Sequence, residues 1–446
     1  MASINTIPPE LLLDILSQAI SSSLMTEPLI VHGQFSQLAS SCRTCCYRQI
    51  AGVCSTWATI VREQFVGRQT VFGVHGSEAD DRVLACVTKN AARAKRVKTV
   101  DASLRGWQGW KSLPVLPHTT TEEPEEETIG FLQTREVQIE KQRQQILERE
   151  RQRLVQLLTA CRTVEEFDID VGFYCAIHHL PTLLPPTIRS LTLRNCDARE
   201  TFDLIENLPL LEDLTLRLAL DWRISASAPR PRPSCRLRRF ELSFTAFATT
   251  NLSDVLTLLS SSTDSLTSLT LRNKGTSPEG YAKLLPVAAG LVAAFSPRLE
   301  HLAVKDIPRA GMRMPGSRPS WEWFPKRPTA FPRLRSLQLT GLPPLEPSVL
   351  KSTIILATNP PMLERLLIED FDSSSPRYLV ETLKETKALQ RVKLLEVAIR
   401  QQGAGMQEAA SEIEKWCGGT AGRDGRATKL RASWNMRKVD HFCGIW

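Results

Sequence analysis

The chain has 446 residues, of which 42% are hydrophobic and 23% charged, which excludes the disordered and fibrous classes. Its formal net charge of +8 permits acidic, phosphorylated or nucleic-acid partners without selecting one. The longest apolar stretch, residues 284–295, is shorter than the ~20 residues that span a bilayer, and the N-terminus lacks the pattern of a secretory signal, so we expect a cytoplasmic or nuclear protein without membrane contact.

Two short amphipathic helices are predicted near the N-terminus. The first, residues 7–16, has prolines at its entry, where a missing N–H costs little, and its leucines lie on one side. The second, residues 53–61, has apolar residues at the i, i+4, i+7 and i+8 positions of one face. Because two such helices bury too little surface to be stable alone, the simplest interpretation is a helical cap.

IPPELLLDIL followed by VCSTW resembles the F-box, which combines a Leu-Pro-x-Glu-Leu-Leu helix with a Val-Cys-x-x-Trp helix. The resemblance implies a small all-α domain over residues 1–66, with an insertion at about 21–47 because the two helices are widely separated. It also implies docking onto the Skp adaptor and, through it, onto a cullin. The implied adaptor-binding residues are Pro8, Leu11, Leu12, Ile15, Leu16, Val53, Cys54 and Trp57.

The eleven cysteines lack the spacing of a disulfide framework, which favours reduced thiols. Cys42, Cys45, Cys46 and Cys54 lie close together in sequence, and His32 is nearby. A structural zinc site usually needs two ligand pairs separated by a loop, and Cys54 already belongs to the F-box-like helix. We therefore expect no metal and no cofactor.

Residues 71–104 are interpreted as strand, helix and strand, with VKTVDA at Val97 as a weak first repeat. A glutamate-rich run at residues 122–127 is too charged to pack, and a strong helix is predicted over residues 133–161. We therefore interpret residues 111–158 as an inserted acidic loop and charged helix. The C-terminal leucines of this helix should pack on the fold, while its N-terminal turns project into water.

An apolar frame of the form LxxLxL recurs from residue 164 onward. Its most regular copy is IRSLTLRNC, in which the first, fourth and sixth positions are apolar. The spacing of the copies falls within the roughly 20–50 residues typical of repeat proteins. The copies begin at Val164, Ile188, Leu211, Leu237, Leu266, Leu299, Leu334, Leu363 and Leu389.

Prolines precede many copies of the frame, as Pro209 precedes Leu211 and Pro297 precedes Leu299. Since proline cannot continue a helix, a helical segment should end before each strand, which predicts an α/β fold with parallel strands. The pattern resembles the leucine-rich repeat. This implies a solenoid over residues 67–400, with the sheet on its concave side. The family's usual ninth-position Asn or Cys is present only as Cys196, so the repeats are degenerate.

Side chains two residues apart on a strand point the same way, so the third, fifth and seventh frame positions should face the concave side. In-register stacking would place the seventh positions about 5 Å apart, where an acidic or phosphorylated peptide would relieve charge repulsion. The alternative is a solvated face with splayed side chains. The seventh positions are Arg194, Arg217, Ser243, Arg272, Lys305, Thr340, Glu369 and Leu395, of which Arg194, Arg217, Arg272 and Lys305 are candidate substrate-binding residues.

Two further segments could take part in recognition. The proline-rich stretch 311–332 contains Trp321 and Trp323 beside basic residues, a composition typical of partner contacts, although the tryptophans could equally anchor the loop. Residues 401–446 are interpreted as a helix and a basic tail that cap the last repeat.

No phosphate-binding loop, GxSxG or HExxH motif is present in the sequence. Cys175, His178 and His179 form a compact nucleophile-plus-base cluster, but they lie in a connecting segment, so we expect a protein that is not an enzyme. We expect the substrate-recognition subunit of a cullin-type ubiquitin ligase, which binds the adaptor and a protein target. The alternative is a non-catalytic leucine-rich-repeat scaffold without ligase association. Nucleic-acid binding is disfavoured because the basic residues are not clustered with aromatic platforms.

Overall fold

The computed structural model describes residues 69–71, 84–85, 87–95, 97–102, 126–174, 177, 179–218, 222–223, 233–244, 250–273, 278–305, 331–339, 360–369 and 394–398. The chain divides into two compact units between Arg189 and Ser190. Each unit is an α/β unit with parallel strands, as predicted. The F-box-like segment 1–66 and the C-terminal segment 401–446 lie outside the described residues.

The described part of the first unit contains three parallel strands, which lie side by side in chain order. The strands are β1 (Gln69–Val71), β2 (Thr99–Ala102) and β3 (Glu166–Asp170), and the helices are α1 (Ala91–Ala94), α2 (Glu126–Ala160), α3 (Val171–Tyr174) and α4 (Leu180–Leu183). Val100 and Ala102 pair with Phe167 and Ile169, and all four are buried. Strand β2 thus lies within the VKTVDA segment that was interpreted as a weak first repeat, although β1 precedes it.

Helix α2 is longer at its N-terminus than the sequence predicts. It begins at Glu126 rather than at residue 133, so the last glutamates of the acidic run belong to the helix. Acidic residues in a first turn interact favourably with the positive end of the helix dipole. Leu154, Leu157 and Leu158 are fully buried, whereas Val137 is 69% exposed. The C-terminal half therefore packs on the first unit, as predicted.

The described part of the second unit contains eight parallel strands, each paired with its neighbours in chain order. The strands are β4 (Ser190–Arg194), β5 (Asp213–Leu218), β6 (Arg239–Phe244), β7 (Ser268–Asn273), β8 (His301–Lys305), β9 (Ser336–Leu339), β10 (Arg365–Glu369) and β11 (Leu394–Ala398). Between them lie α5 (Ala198–Ile205), α6 (Leu252–Leu258) and α7 (Pro278–Phe295).

The repeated frame forms the core of the second unit. Strand pairing places every fourth position beside the next fourth position, and every sixth beside the next sixth, from β4 to β10. Burying each such apolar side chain contributes roughly 1.5–3 kcal/mol, so the stack is held mainly by these rows. The buried fourth positions are Leu191, Leu214, Phe240, Leu269, Leu302, Leu337 and Leu366.

The last repeat differs from its prediction. Strand β11 pairs Leu366 with Leu395 and Ile368 with Val397, so Leu395 is at a fourth position and Ala398 at a seventh. The predicted placement of Leu395 in the seventh column is therefore wrong, and the frame starts later than Leu389. Both LQRVKL and VKLLEV satisfy the apolar frame, and sequence alone does not separate two matching offsets.

The helix ends follow local capping chemistry. Asp197 caps α5 by accepting a hydrogen bond from the Glu200 N–H at 2.7 Å, and the Glu200 carboxylate accepts from the Asp197 N–H at 3.0 Å. Helix α5 ends before Pro209 and helix α7 before Pro297, as the prolines predict. In the part of the chain that the structure describes, no helix is both long and apolar enough to cross a bilayer.

Backbone N–H···O=C hydrogen bonds connect each repeat to the next at the start of the strands. The carbonyl of Glu212 accepts from the N–H groups of Arg238 and Arg239 at 2.7 and 3.0 Å, and the same arrangement recurs along the unit. The second frame position, which supplies this carbonyl, alternates in charge along much of the sheet. Its residues are Glu212, Arg238, Thr267, Glu300, Arg335 and Glu364.

Candidate functional site

Strands β4 to β8 present three rows of side chains opposite the buried leucines. In β4 and β5, buried residues alternate strictly with half-buried ones, and the half-buried residues occupy the third, fifth and seventh frame positions. We call the face that carries these positions the outward face. Since it is formed by parallel strands in register, each row runs across the strands as a continuous line.

The seventh row gathers four of the six predicted substrate-binding residues. Arg194 pairs with Arg217, Arg217 with Ser243, Ser243 with Arg272, and Arg272 with Lys305. The four cationic residues are half-buried. The strands are therefore in register at this column over β4 to β8. We call these five residues the basic row.

Ser243 divides the basic row into two cationic pairs. It lies between Arg217 and Arg272 and is only 1% exposed. Its hydroxyl has no hydrogen-bond partner among the described residues. Arg194 with Arg217 thus forms one pair, and Arg272 with Lys305 forms the other.

The outward face of β4 to β8 also carries two carboxylates, one in the third row and one in the fifth. Asp213 is in the third row, where its carboxylate accepts hydrogen bonds from Nε of Arg239 at 2.6 Å and from a terminal guanidinium nitrogen. Glu241 is in the fifth row, opposite Thr215 and Thr270. Asp213 and Glu241 are the carboxylates of the three rows on β4 to β8, whereas the seventh row carries four cationic side chains and no carboxylate.

The first unit has a different charge pattern, which the sequence did not reveal. Asp101 and Asp168 are directly opposite on β2 and β3. Glu150 and Arg153 form an ion pair on α2 and are 1% and 4% exposed. Burial raises the pKa of the Tyr174 hydroxyl, and the nearby Glu150 carboxylate raises it further. Tyr174 therefore stays neutral. Glu150, Arg153 and Tyr174 are all buried, so they belong to the interior of the first unit.

The described thiols do not have the properties of nucleophiles. Cys161, Cys196 and Cys235 are buried, and burial raises the pKa of Cys161 to about 11, of Cys235 to about 11 and of Cys196 to about 12. A thiol of this kind is almost entirely protonated at neutral pH, whereas the thiolate is the reactive form. These three cysteines are therefore structural.

Several predicted site residues lie outside the described residues. They are Pro8, Leu11, Leu12, Ile15, Leu16, Val53, Cys54 and Trp57 of the F-box-like segment, Trp321 and Trp323 of the proline-rich stretch, and Cys175 and His178 of the nucleophile-plus-base cluster. His179 is described, at the N-terminus of α4. Among described residues, no group of three His, Cys, Asp or Glu side chains could hold a metal ion.

The described site is thus a repeated, parallel-stranded face with one basic row. Such a face offers a broad surface for binding a macromolecule. No protein-family model matches the chain, and no curated protein matches it either.

Proposed function

We propose that this chain is the substrate-recognition subunit of a cullin-type ubiquitin ligase. In this proposal the F-box-like helices bind the Skp adaptor, and the leucine-rich-repeat-like sheet binds a protein target. The observation that carries the target-binding half is the in-register basic row on β4 to β8. The adaptor-binding half is supported by the resemblance of IPPELLLDIL and VCSTW to the F-box.

The outward face of the sheet offers both surface and charge for target binding. Cationic side chains held about 4.8 Å apart by strand spacing repel one another, and this repulsion is relieved when an anionic partner binds. The sheet fixes the side-chain positions, so little backbone entropy is lost on binding. In a receptor of this kind the ubiquitin-transfer chemistry belongs to other subunits.

The adaptor half is tested by a pulldown with the full-length chain. Leu12→Asp combined with Ile15→Asp places two charges on the apolar side of the first predicted helix, where docking requires apolar contact. We expect the wild type to capture the Skp adaptor and cullin, and the double variant to lose both. Immunoblots for the two partners give the readout.

A matched variant controls for general damage to the chain. Arg217→Glu with Arg272→Glu changes the basic row and leaves the N-terminal segment intact, so it should capture the adaptor as the wild type does. A wild-type chain that captures neither adaptor nor cullin would contradict the ligase role. That outcome would favour the scaffold alternative.

A further inference from the structure

The N-terminal edge of the sheet in the second unit carries a row of charges that is separate from the outward face. It consists of the residues directly before β5 to β9, and we call it the edge row. Backbone hydrogen bonds align it, since the Glu300 N–H donates to the Thr267 carbonyl and the Arg335 N–H to the Glu300 carbonyl, each at 2.8 Å. In strand order, the edge row is Glu212, Arg238, Thr267, Glu300 and Arg335.

The edge row is open to solvent. Arg238 and Arg335 are exposed, and the other three residues are half-buried. Within the chain, Nε of Arg238 lies 3.9 Å from a carboxylate oxygen of Glu212, and the two side chains are 69% and 36% exposed. Because an exposed ion pair of this kind is weak, a second set of charges can extend it into a network without breaking it.

The signs of the charges in the edge row reverse about its middle. Arg238 and Glu300 are each one strand away from Thr267, and Glu212 and Arg335 are each two strands away. Every charge on one side of Thr267 therefore has the opposite charge at the same distance on the other side. Strands are about 4.8 Å apart, so the edge row spans about 19 Å.

A two-fold axis makes this row complementary to itself. Half a turn about an axis that is normal to the sheet and passes beside Thr267 reverses the strand order and brings the N-terminal edges of two copies together. Arg238 then faces Glu300 of the second copy, Glu212 faces Arg335 of the second copy, and each contact occurs twice. A two-fold axis along the row would instead place every charge against itself.

The exposed apolar residue beside the edge row fits the same arrangement. Leu210, which is 48% exposed, lies in the turn before β5, and Arg333 lies in the turn before β9. The two-fold axis places Leu210 opposite Arg333 of the second copy. The aliphatic part of an arginine covers apolar surface while its charged end stays in water, so this contact shields the leucine.

Like charges meet at one position, where the chain itself balances the charge. Arg236, before β6, faces Arg298 of the second copy, before β8. Arg298 forms an ion pair with Asp264 of its own chain, which reduces the repulsion. Arg239, at the start of β6, is likewise paired with Asp213.

We propose that the edge row is a dimerisation surface, on which a second copy of this chain docks through a two-fold axis normal to the sheet at Thr267. This axis keeps the outward faces of both copies on the same side of the dimer and leaves them uncovered. One dimer therefore presents two outward faces in the same direction. The edge row shares no residue with the basic row or the F-box-like segment, so the proposal does not depend on the proposed function.

Sedimentation velocity of the full-length chain measures the association. We expect a reversible monomer–dimer equilibrium that weakens at least about tenfold between 0.1 M and 1 M salt, because the Debye length falls from about 10 Å to about 3 Å. A wild-type chain that stays monomeric at low salt would overturn the proposal. A dimer whose affinity does not change with salt would overturn it as well.

Two charge reversals provide a complementation test. Arg335→Glu and Glu212→Arg each create two contacts between like charges, so each variant alone should dimerise at least about tenfold more weakly than the wild type. In an equimolar mixture both contacts regain opposite charges, so a heterodimer should form with an affinity within about threefold of the wild-type value. Arg199→Glu changes an exposed residue of α5 by the same charge and should dimerise as the wild type does.

Rescue in the mixture requires both variants to be folded, so it separates the edge contact from general damage to the chain. A mixture that stays monomeric would overturn the proposal, and so would variants that dimerise as tightly as the wild type. A monomeric wild type whose edge row binds a different protein would assign the surface to that partner and overturn the dimer. Capture of the adaptor is read separately, so failure of the ligase role and failure of dimerisation are distinguishable.

Discussion

At the scale of single residues, hydroxyl side chains join neighbouring repeats of the second unit. The N–H of Leu237 donates to the Ser262 hydroxyl at 2.8 Å, and the Ser265 hydroxyl donates to the Leu237 carbonyl at 2.8 Å. Ser262 is fully buried. A buried N–H without an acceptor is costly, so this serine compensates for the irregular backbone where a new repeat begins.

Ser262→Ala is expected to lower the free energy of unfolding by about 1–3 kcal/mol, because it leaves the buried Leu237 N–H without its acceptor. Ser261→Ala is the matched control, since the Ser261 hydroxyl donates to the Cys235 carbonyl in a partly buried position. Chemical denaturation gives both values. A Ser262→Ala variant no less stable than Ser261→Ala would contradict this role.

At the scale of elements, helices α6 and α7 approach closely at a glycine. A Cβ atom at Gly290 would lie 2.1 Å from one Leu252 methyl carbon and 3.1 Å from Leu252 Cγ. The whole end of the leucine would have to move to admit a methyl group. Glycine at position 290 therefore leaves room for Leu252, although alanine would otherwise be favoured in a helix by about 0.5–1 kcal/mol.

Because of this contact, the effect of Gly290→Ala on the free energy of unfolding should change sign when Leu252 is replaced by alanine. Gly290→Ala alone should destabilise the protein, because the displacement of Leu252 outweighs the gain in helix propensity. In a Leu252→Ala background the same change should stabilise it by about 0.5–1 kcal/mol. Thermal or chemical unfolding of the four proteins measures the cycle, and equal effects of Gly290→Ala in both backgrounds would rule the contact out.

At the scale of the whole molecule, the sequence predicts the repeated strands well because a single rule governs them. The LxxLxL frame places Leu191 beside Leu214 and Leu193 beside Leu216, and the structure has this register. Because the frame also aligns the seventh positions of neighbouring strands, it predicts that Arg194 and Arg217 lie side by side. It fails in the last repeat, where two offsets of the frame fit and only strand pairing distinguishes them.

Other features could not be predicted, because they depend on residues far apart in sequence. Glu150 and Arg153 are three residues apart on α2, but their burial and the effect of Glu150 on the pKa of Tyr174 on α3 depend on tertiary packing. The close packing at Gly290 likewise depends on how two helices meet.

We propose that the chain binds an adaptor through its F-box-like segment and a target on its repeat sheet. The most direct test is quantitative co-purification with the wild type, with Arg217→Glu plus Arg272→Glu, and with a matched control, Arg199→Glu plus Arg298→Glu, which changes the net charge equally at α5 and in the turn before β8. We predict equal recovery of the Skp adaptor from all three and loss of target proteins only from the basic-row variant. Unchanged recovery of targets by that variant would contradict the account.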